Sequence, residues 1–170
     1  MTIAETSRIR LTKISLNDAP FILKLMTSPK WLKYIGDRNV KTVEEAKTYI
    51  ENNQLKSYQT HGFGYYKIEL KTNDLKPIGT CGLVKRAQLE HIDVGFSLLP
   101  NYEGKGYAFE ATNALLKLAK KEFNIENIIA ITLPENKSSI QLLEKLGLSY
   151  EKTVKPFEDD EELLLFEKTL

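Results

Sequence analysis

The sequence predicts one domain of the α/β (α+β) class: a mixed, mostly antiparallel central sheet of about six to seven strands, flanked by about four helices. Three observations predict it. Residues 93–98 alternate small or polar positions (Asp93, Gly95, Ser97) with apolar ones (Val94, Phe96, Leu98), the period of a strand, and the pattern breaks at Pro100 and Asn101. Gly104, Lys105 and Gly106 then turn the chain into a run with apolar residues at Ala108, Ala111, Leu115, Leu118, Ala119 and Phe123, the period of an amphipathic helix. After that helix, residues 127–133 (NIIAITL) are almost uninterruptedly apolar, as in a central strand covered on both faces. A helix between the two strands makes them parallel, joined by a right-handed crossover.

The other elements follow in chain order. Residues 7–14 (SRIRLTKI) alternate and open the sheet. Ser15 and Asn17 offer N-caps for a helix through Leu25, with Phe21, Ile22 and Leu25 as its buried stripe. Pro29 starts a short helical turn with Trp31, Tyr34 and Ile35 on one side, a cluster that fits either core or a substrate groove. Thr42 and Glu45 form a capping box for a helix to about Tyr58, with Val43, Ala46, Tyr49, Ile50 and Leu55 facing inward, and THGFG ends it. Residues 63–70 and 78–84 read as a hairpin joined by KTNDLKP. Cys81, inside the second of these strands, has no basic neighbour or helix start to favour a thiolate and reads as a small buried residue. Asn136 caps a helix over residues 137–146 that Gly147 stops. Residues 149–154 and 163–169 form a last antiparallel pair around the acidic run 158–162, which reads as a solvated loop.

Composition narrows the function. A chain of 170 residues fits one domain spanning residues 1–170. With 24 basic and 23 acidic residues, a net charge of +1 supplies no bulk attraction for nucleic acid or an anionic membrane. One cysteine and two histidines (His61 and His91) give no metal-ligand spacing, so no metal is expected. The N-terminal residues lack a signal-peptide core and no apolar run reaches the roughly 20 residues that span a bilayer. A cytoplasmic protein is the expectation.

The glycine turn carries the chemistry. Two glycines one residue apart at a helix start leave backbone N–H groups bare and convergent, where the helix dipole also favours an anion such as a phosphate or pyrophosphate. The same glycines also fit a tight strand-to-helix connection that only needs positive φ. The turn matches neither common phosphate loop, because Phe109 stands where a dinucleotide fingerprint has its third glycine and no GK[ST] follows.

The stretch DVGFSLLPNYEGKGYAFEA resembles the acetyl-CoA motif, Q/R-x-x-G-x-G/A, of the GNAT superfamily of N-acetyltransferases, and in particular the pattern E-I-G-Y-x-L-x-P-x-Y-x-G-K-G-Y-A-x-E-A of its RimJ/RimL-like branch. Asp93 replaces the glutamate, and Asn101 stands where many members have Gln or Arg. Downstream, PENKSSIQLLEKLGL is similar to P-x-N-x-x-S-x-x-L-x-E-K-x-G-F through Pro134, Asn136, Ser139, Glu144, Lys145 and Gly147.

The resemblance implies a GNAT fold, in which the two parallel strands splay to admit the pantetheine arm of acetyl-CoA. It implies that Asn101, Gly104, Lys105, Gly106, Tyr107 and Ala108 hold the pyrophosphate, that Leu98 and Leu99 pair with pantetheine, and that Asn136 and Ser139 approach the thiol. It places Asp93 as the general base, Ser139 and Tyr150 in the catalytic set with Tyr150 as acid to the thiolate, and Trp31 and Tyr34 on the acceptor side; a regular strand puts His91 two residues from Asp93 on the same face, as a reserve base. Asp93 at a strand start also fits a structural hydrogen bond. The implied reaction is direct acetyl transfer to a primary amine in a ternary complex, the amine being a protein or peptide N-terminus. A small amine (antibiotic or polyamine) and a non-catalytic acyl-CoA-binding module are the alternatives, and the assembly is a monomer or homodimer.

Overall fold

Alternating burial along residues 9–13, with Ile9 and Leu11 fully enclosed, makes one strand of a sheet that a computed structural model describes over residues 1–72 and 74–170. The strands are β1 (Thr2–Glu5), β2 (Ile9–Lys13), β3 (Tyr65–Leu70), β4 (Pro77–Val84), β5 (Ile92–Leu98), β6 (Asn127–Thr132), β7 (Ser149–Val154) and β8 (Leu163–Thr169). They form one sheet in the order β1-β2-β3-β4-β5-β6-β8-β7. Every neighbouring pair is antiparallel except β5 and β6. The eighth strand, beyond the six to seven expected, is β1: it is short and half exposed at the edge, so it carries no clear alternation of its own. The hairpin between β3 and β4 is as expected; Asn73, in its KTNDLKP turn, lies outside the described residues.

Five helical bodies flank the sheet rather than four. They are α1 (Ala19–Met26), α2 (Pro29–Tyr34), a continuous rod made of α3 (Val43–Ile50), a π-helical turn (Glu51–Leu55) and α4 (Lys56–His61), then α5 (Tyr107–Phe123) and α6 (Lys137–Lys145). Their ends are set locally. The Ser15 N–H donates to Asp18 Oδ2 at 2.8 Å ahead of α1, whereas Asn17 caps nothing. Thr42 Oγ1 accepts the Glu45 N–H at 3.1 Å, and the Glu45 carboxylate accepts the N–H of Lys41 instead of completing the box with Thr42. Gly62 stops the rod at φ +79°. Val43, expected inside, is exposed, because the inner face is carried by Ala46 and Ile50.

Two apolar clusters lie on opposite faces of the sheet. Tyr66, Ile68, Cys81, Leu83 and Val94 pack under α5 against Ala111, Leu115 and Ala119. On the other face Ile14, Ile22, Leu25, Trp31, Ala46, Ile50 and Leu99 form the second cluster beneath α1, α2 and α3. Because neighbouring strand residues point to opposite faces, Asp93, Gly95 and Ser97 of β5 turn toward the second face and Val94 and Phe96 toward α5. Among the described residues no helix is long and apolar enough to cross a membrane.

Candidate active site

The parallel pair is joined at only two positions, Ile92 opposite Ile128 and Asp93 opposite Ile129, and beyond them the strands part. Leu99 donates its N–H to Ile78 O at 2.8 Å, toward β4. Since backbone groups of successive strand residues alternate in direction, those of Phe96 and Leu98 face the opened gap instead. Leu98 therefore remains in position to pair with an extended ligand, while Leu99 is buried with its N–H already used, a correction to its expected role. A cavity of about 1610 Å³ runs through this opening, with the glycine turn and α6 at one end and α2, the π-helical turn and the β7–β8 loop at the other.

At the turn, both candidate glycines have positive φ, +71° at Gly104 and +84° at Gly106, so the conformational reason for glycine is real. The chemical reason is present as well. The first bond inside α5 runs from Glu110 N–H to Gly106 O, no side chain caps the helix, and the N–H groups of Tyr107, Ala108 and Phe109 are left for an outside acceptor. Gly104, Gly106, Tyr107 and Ala108 line the cavity, and a Cβ on Gly104 would meet nothing within 4 Å. That space and those donors fit a pyrophosphate.

Arg8, absent from the sequence-based set, braces the turn. Its guanidinium donates to Lys105 O (3.0 Å) and to Glu110 Oε2 (2.6 Å), and it stacks 4.5 Å over the Tyr107 ring. Asn101 and Lys105 are both exposed and neither side chain lines the cavity: the 3₁₀ turn Pro100–Tyr102 carries Asn101 outward, and Lys105 contributes its carbonyl to Arg8.

At the start of α6, Asn136 caps the helix through Oδ1, which accepts the Ser139 N–H at 3.3 Å, and both residues line the cavity. Tyr150 is a correction. It lies on the outer strand β7, 55% exposed, with its ring edge-on to Phe166 and its hydroxyl 3.2 Å from Thr153 Oγ1, and it is not among the cavity residues. Nearness in sequence to the second motif does not survive the turn at Gly147.

Asp93 sits where the strands separate, 3% exposed, and lines the cavity. Its Oδ2 accepts from Arg86 Nε at 2.8 Å, and its carboxylate also takes the backbone N–H of Ile131, a group of β6 that faces β5 but has lost a strand partner to the splay. Burial raises its pKa to about 6, against the pull of Arg86 and of that N–H. The two sequence readings are thus joined in one group: a structural staple that is also more basic than an ordinary aspartate. His91 precedes β5 and is not a cavity residue.

Trp31 and Tyr34 both line the far end of the cavity, and Trp31 belongs to the second apolar cluster at the same time. Sequence reasoning missed Tyr49, Tyr65 and Arg86, which also line the cavity. Asp159 and Glu161 reach the cavity, so the acidic run is more than solvated surface. Cys81 lies on the α5 face, fully buried and off the cavity, and burial pushes its thiol pKa up. Among the described residues no group of three or more His, Cys, Asp or Glu side chains is placed to hold a metal ion.

Comparison with known proteins agrees with this geometry. The family described as Acetyltransferase (GNAT) domain matches residues 8–149. The chain is 29% identical over 146 residues to the uncharacterized N-acetyltransferase YnaD of Bacillus subtilis (strain 168), covering 86% of this chain and 82% of that protein. It superimposes on the ribosomal-protein-S5-alanine acetyltransferase of Vibrio fischeri with a TM-score of 0.81 at 25% identity, covering 99% of this chain and 96% of the other. The microcin C7 self-immunity acetyltransferase MccE, solved with acetyl-CoA and AMP, shares the fold at a TM-score of 0.81 and 18% identity, covering 97% and 94%.

Proposed function

This chain belongs to the GNAT family of acetyltransferases, and from that membership we propose that it moves the acetyl group of acetyl-CoA onto the α-amine of a protein or peptide N-terminus, by direct attack in a ternary complex. It is an N-acetyltransferase that uses acetyl-CoA. The observation that carries the acceptor-side reading is the cavity itself, which continues through the splay from the bare amides of α5 to a separate wall of aromatic side chains.

Bound acetyl-CoA supplies an activated thioester. The N–H groups of Tyr107, Ala108 and Phe109 receive the pyrophosphate, and the free backbone edge of Phe96 and Leu98 pairs with pantetheine. Ser139, on the same lining, would offer its hydroxyl as a hydrogen-bond donor to the departing sulfur. Asp93 takes the amine's proton through a water, a role its raised pKa of about 6 favours. The burial of Cys81 away from the cavity supports direct transfer over an acyl-enzyme.

A second reading, a small cationic amine, is favoured by Asp159 and Glu161 at the cavity rim; Arg38, Lys85 and Arg86 on the same lining offset it. Thiol release from acetyl-CoA with N-terminal peptides, a polyamine and an aminoglycoside separates them. The peptide reading predicts the highest kcat/KM with a peptide, and a tenfold advantage for either small amine would refute it.

A further inference from the structure

A tyrosine lies flat across two strands at the place where the sheet opens. Tyr65 on β3, Gly82 on β4 and Gly95 on β5 stand directly opposite one another in register. A Cβ on Gly82 would come 2.5 Å from both Cα and Cγ of Tyr65, and one on Gly95 would lie 3.1 Å from Cζ and collide with the hydroxyl oxygen. Glycine inside a strand loses packing and costs chain entropy, so two in register need a close approach to justify them. The ring of Tyr65 is that approach: the pair of glycines forms a lane that carries the phenol from β3 to β5.

The hydroxyl ends over Gly95, two residues from Asp93 on the same face of β5 and within electrostatic reach of its carboxylate. Tyr65 lines the cavity, and its hydroxyl makes no hydrogen bond among the described residues. Burial, reinforced by Asp93, raises its pKa and keeps it protonated at neutral pH. Asp93, in contrast, is already engaged by Arg86 and the Ile131 N–H. Standing on the cavity lining with no protein partner among the described residues, the hydroxyl is free to take a polar group of a ligand.

We propose that Tyr65 is a catalytic residue of the transfer, its hydroxyl oxygen accepting an N–H of the acceptor amine and holding the nitrogen at the mouth of the splay while the amine's proton passes to Asp93. The inference rests on the proposed amine transfer and not on which amine is used.

Tyr65→Phe keeps the ring in its lane and removes only the hydroxyl. For whichever amine of the panel the wild-type enzyme acetylates fastest, kcat/KM should fall about 10- to 100-fold. The KM for acetyl-CoA, the thermal midpoint and the acid limb of the pH–rate profile should stay at wild-type values. Gly95→Ala places a methyl group in the hydroxyl's position, so it should reproduce the loss alone and add little to Tyr65→Phe. Wild-type kcat/KM in Tyr65→Phe, a loss confined to acetyl-CoA KM or to stability, or additive losses in the double variant would each overturn the assignment. Turnover of a small amine but of no peptide would overturn the acceptor reading alone, and Tyr65 is then judged on that amine.

Discussion

Asp93→Asn keeps the shape of the buried side chain and removes its titration. In the folded protein burial raises this carboxyl from its ordinary 3.8 to about 6, although Arg86 and the Ile131 N–H pull the other way. Between those values the folded state holds the proton and the unfolded chain does not, so the slope of stability against pH is negative there. Asp93's contribution is fully present below about pH 4 and is lost as pH rises through about 6. A shift from 3.8 to about 6 corresponds to about 3 kcal/mol. Arg86 stays charged throughout, so its loss of a partner in the asparagine variant adds only a constant offset. Urea unfolding of both proteins from pH 4 to 8 should therefore give a wild-type-minus-variant difference that falls by about 3 kcal/mol up to pH 7 and then flattens. A flat or rising difference would show that the carboxyl is not desolvated as the structure places it. The same pair of proteins tests the base. An α-amine with a pKa near 8 costs only about 1 kcal/mol to deprotonate at pH 7.4, against about 4 kcal/mol for a lysine amine. With a peptide acceptor the asparagine variant should be slow at neutral pH and recover as pH rises through 8 to 9, and parallel profiles would move the proton to water alone.

Gly106→Val puts a branched side chain at φ +84°, with its Cβ 3.2 Å from the Arg8 guanidinium and beside the bare amides of α5. The fold should survive while the thermal stabilisation by acetyl-CoA, about 2.7 kcal/mol at 100 times the dissociation constant for wild type, is lost; undiminished affinity by calorimetric titration would remove the turn from the cofactor site. Cys81→Ala should retain turnover, and mass spectrometry after incubation with acetyl-CoA alone should find no acetylated cysteine, whereas an adduct that chases into product would establish a ping-pong route. Thr42→Ala removes the acceptor for the Glu45 N–H and should cost about 1 kcal/mol in urea unfolding, with kcat unchanged.

The sequence by itself determined the elements whose causes are local. The break at Pro100, the glycines with positive φ at 104 and 106, the period of α5 and the Asn136 cap each depend on residues within a few positions of one another, and the structure has them where they were expected. The parallel pair followed from the helix between its strands, and the burial of Cys81 from the lack of any local group to ionise it. Tertiary structure decided what depends on register and on which face a neighbour presents. Tyr150 looked close to the second motif, but pairing with β8 puts β7 at the sheet edge and its ring outside the cavity. Asn101 and Lys105 share a motif with Gly104 and Gly106, yet side chains on successive turn residues diverge, and only the amides and glycines converge on one space. Arg86 was visible only as part of a turn, and its pairing with Asp93 depends on how that turn folds back along β5. Tyr65, Gly82 and Gly95 are distant in sequence and become one unit only because two antiparallel pairings bring them into a row, a relation set by hydrogen bonds across the sheet and carried by no single segment.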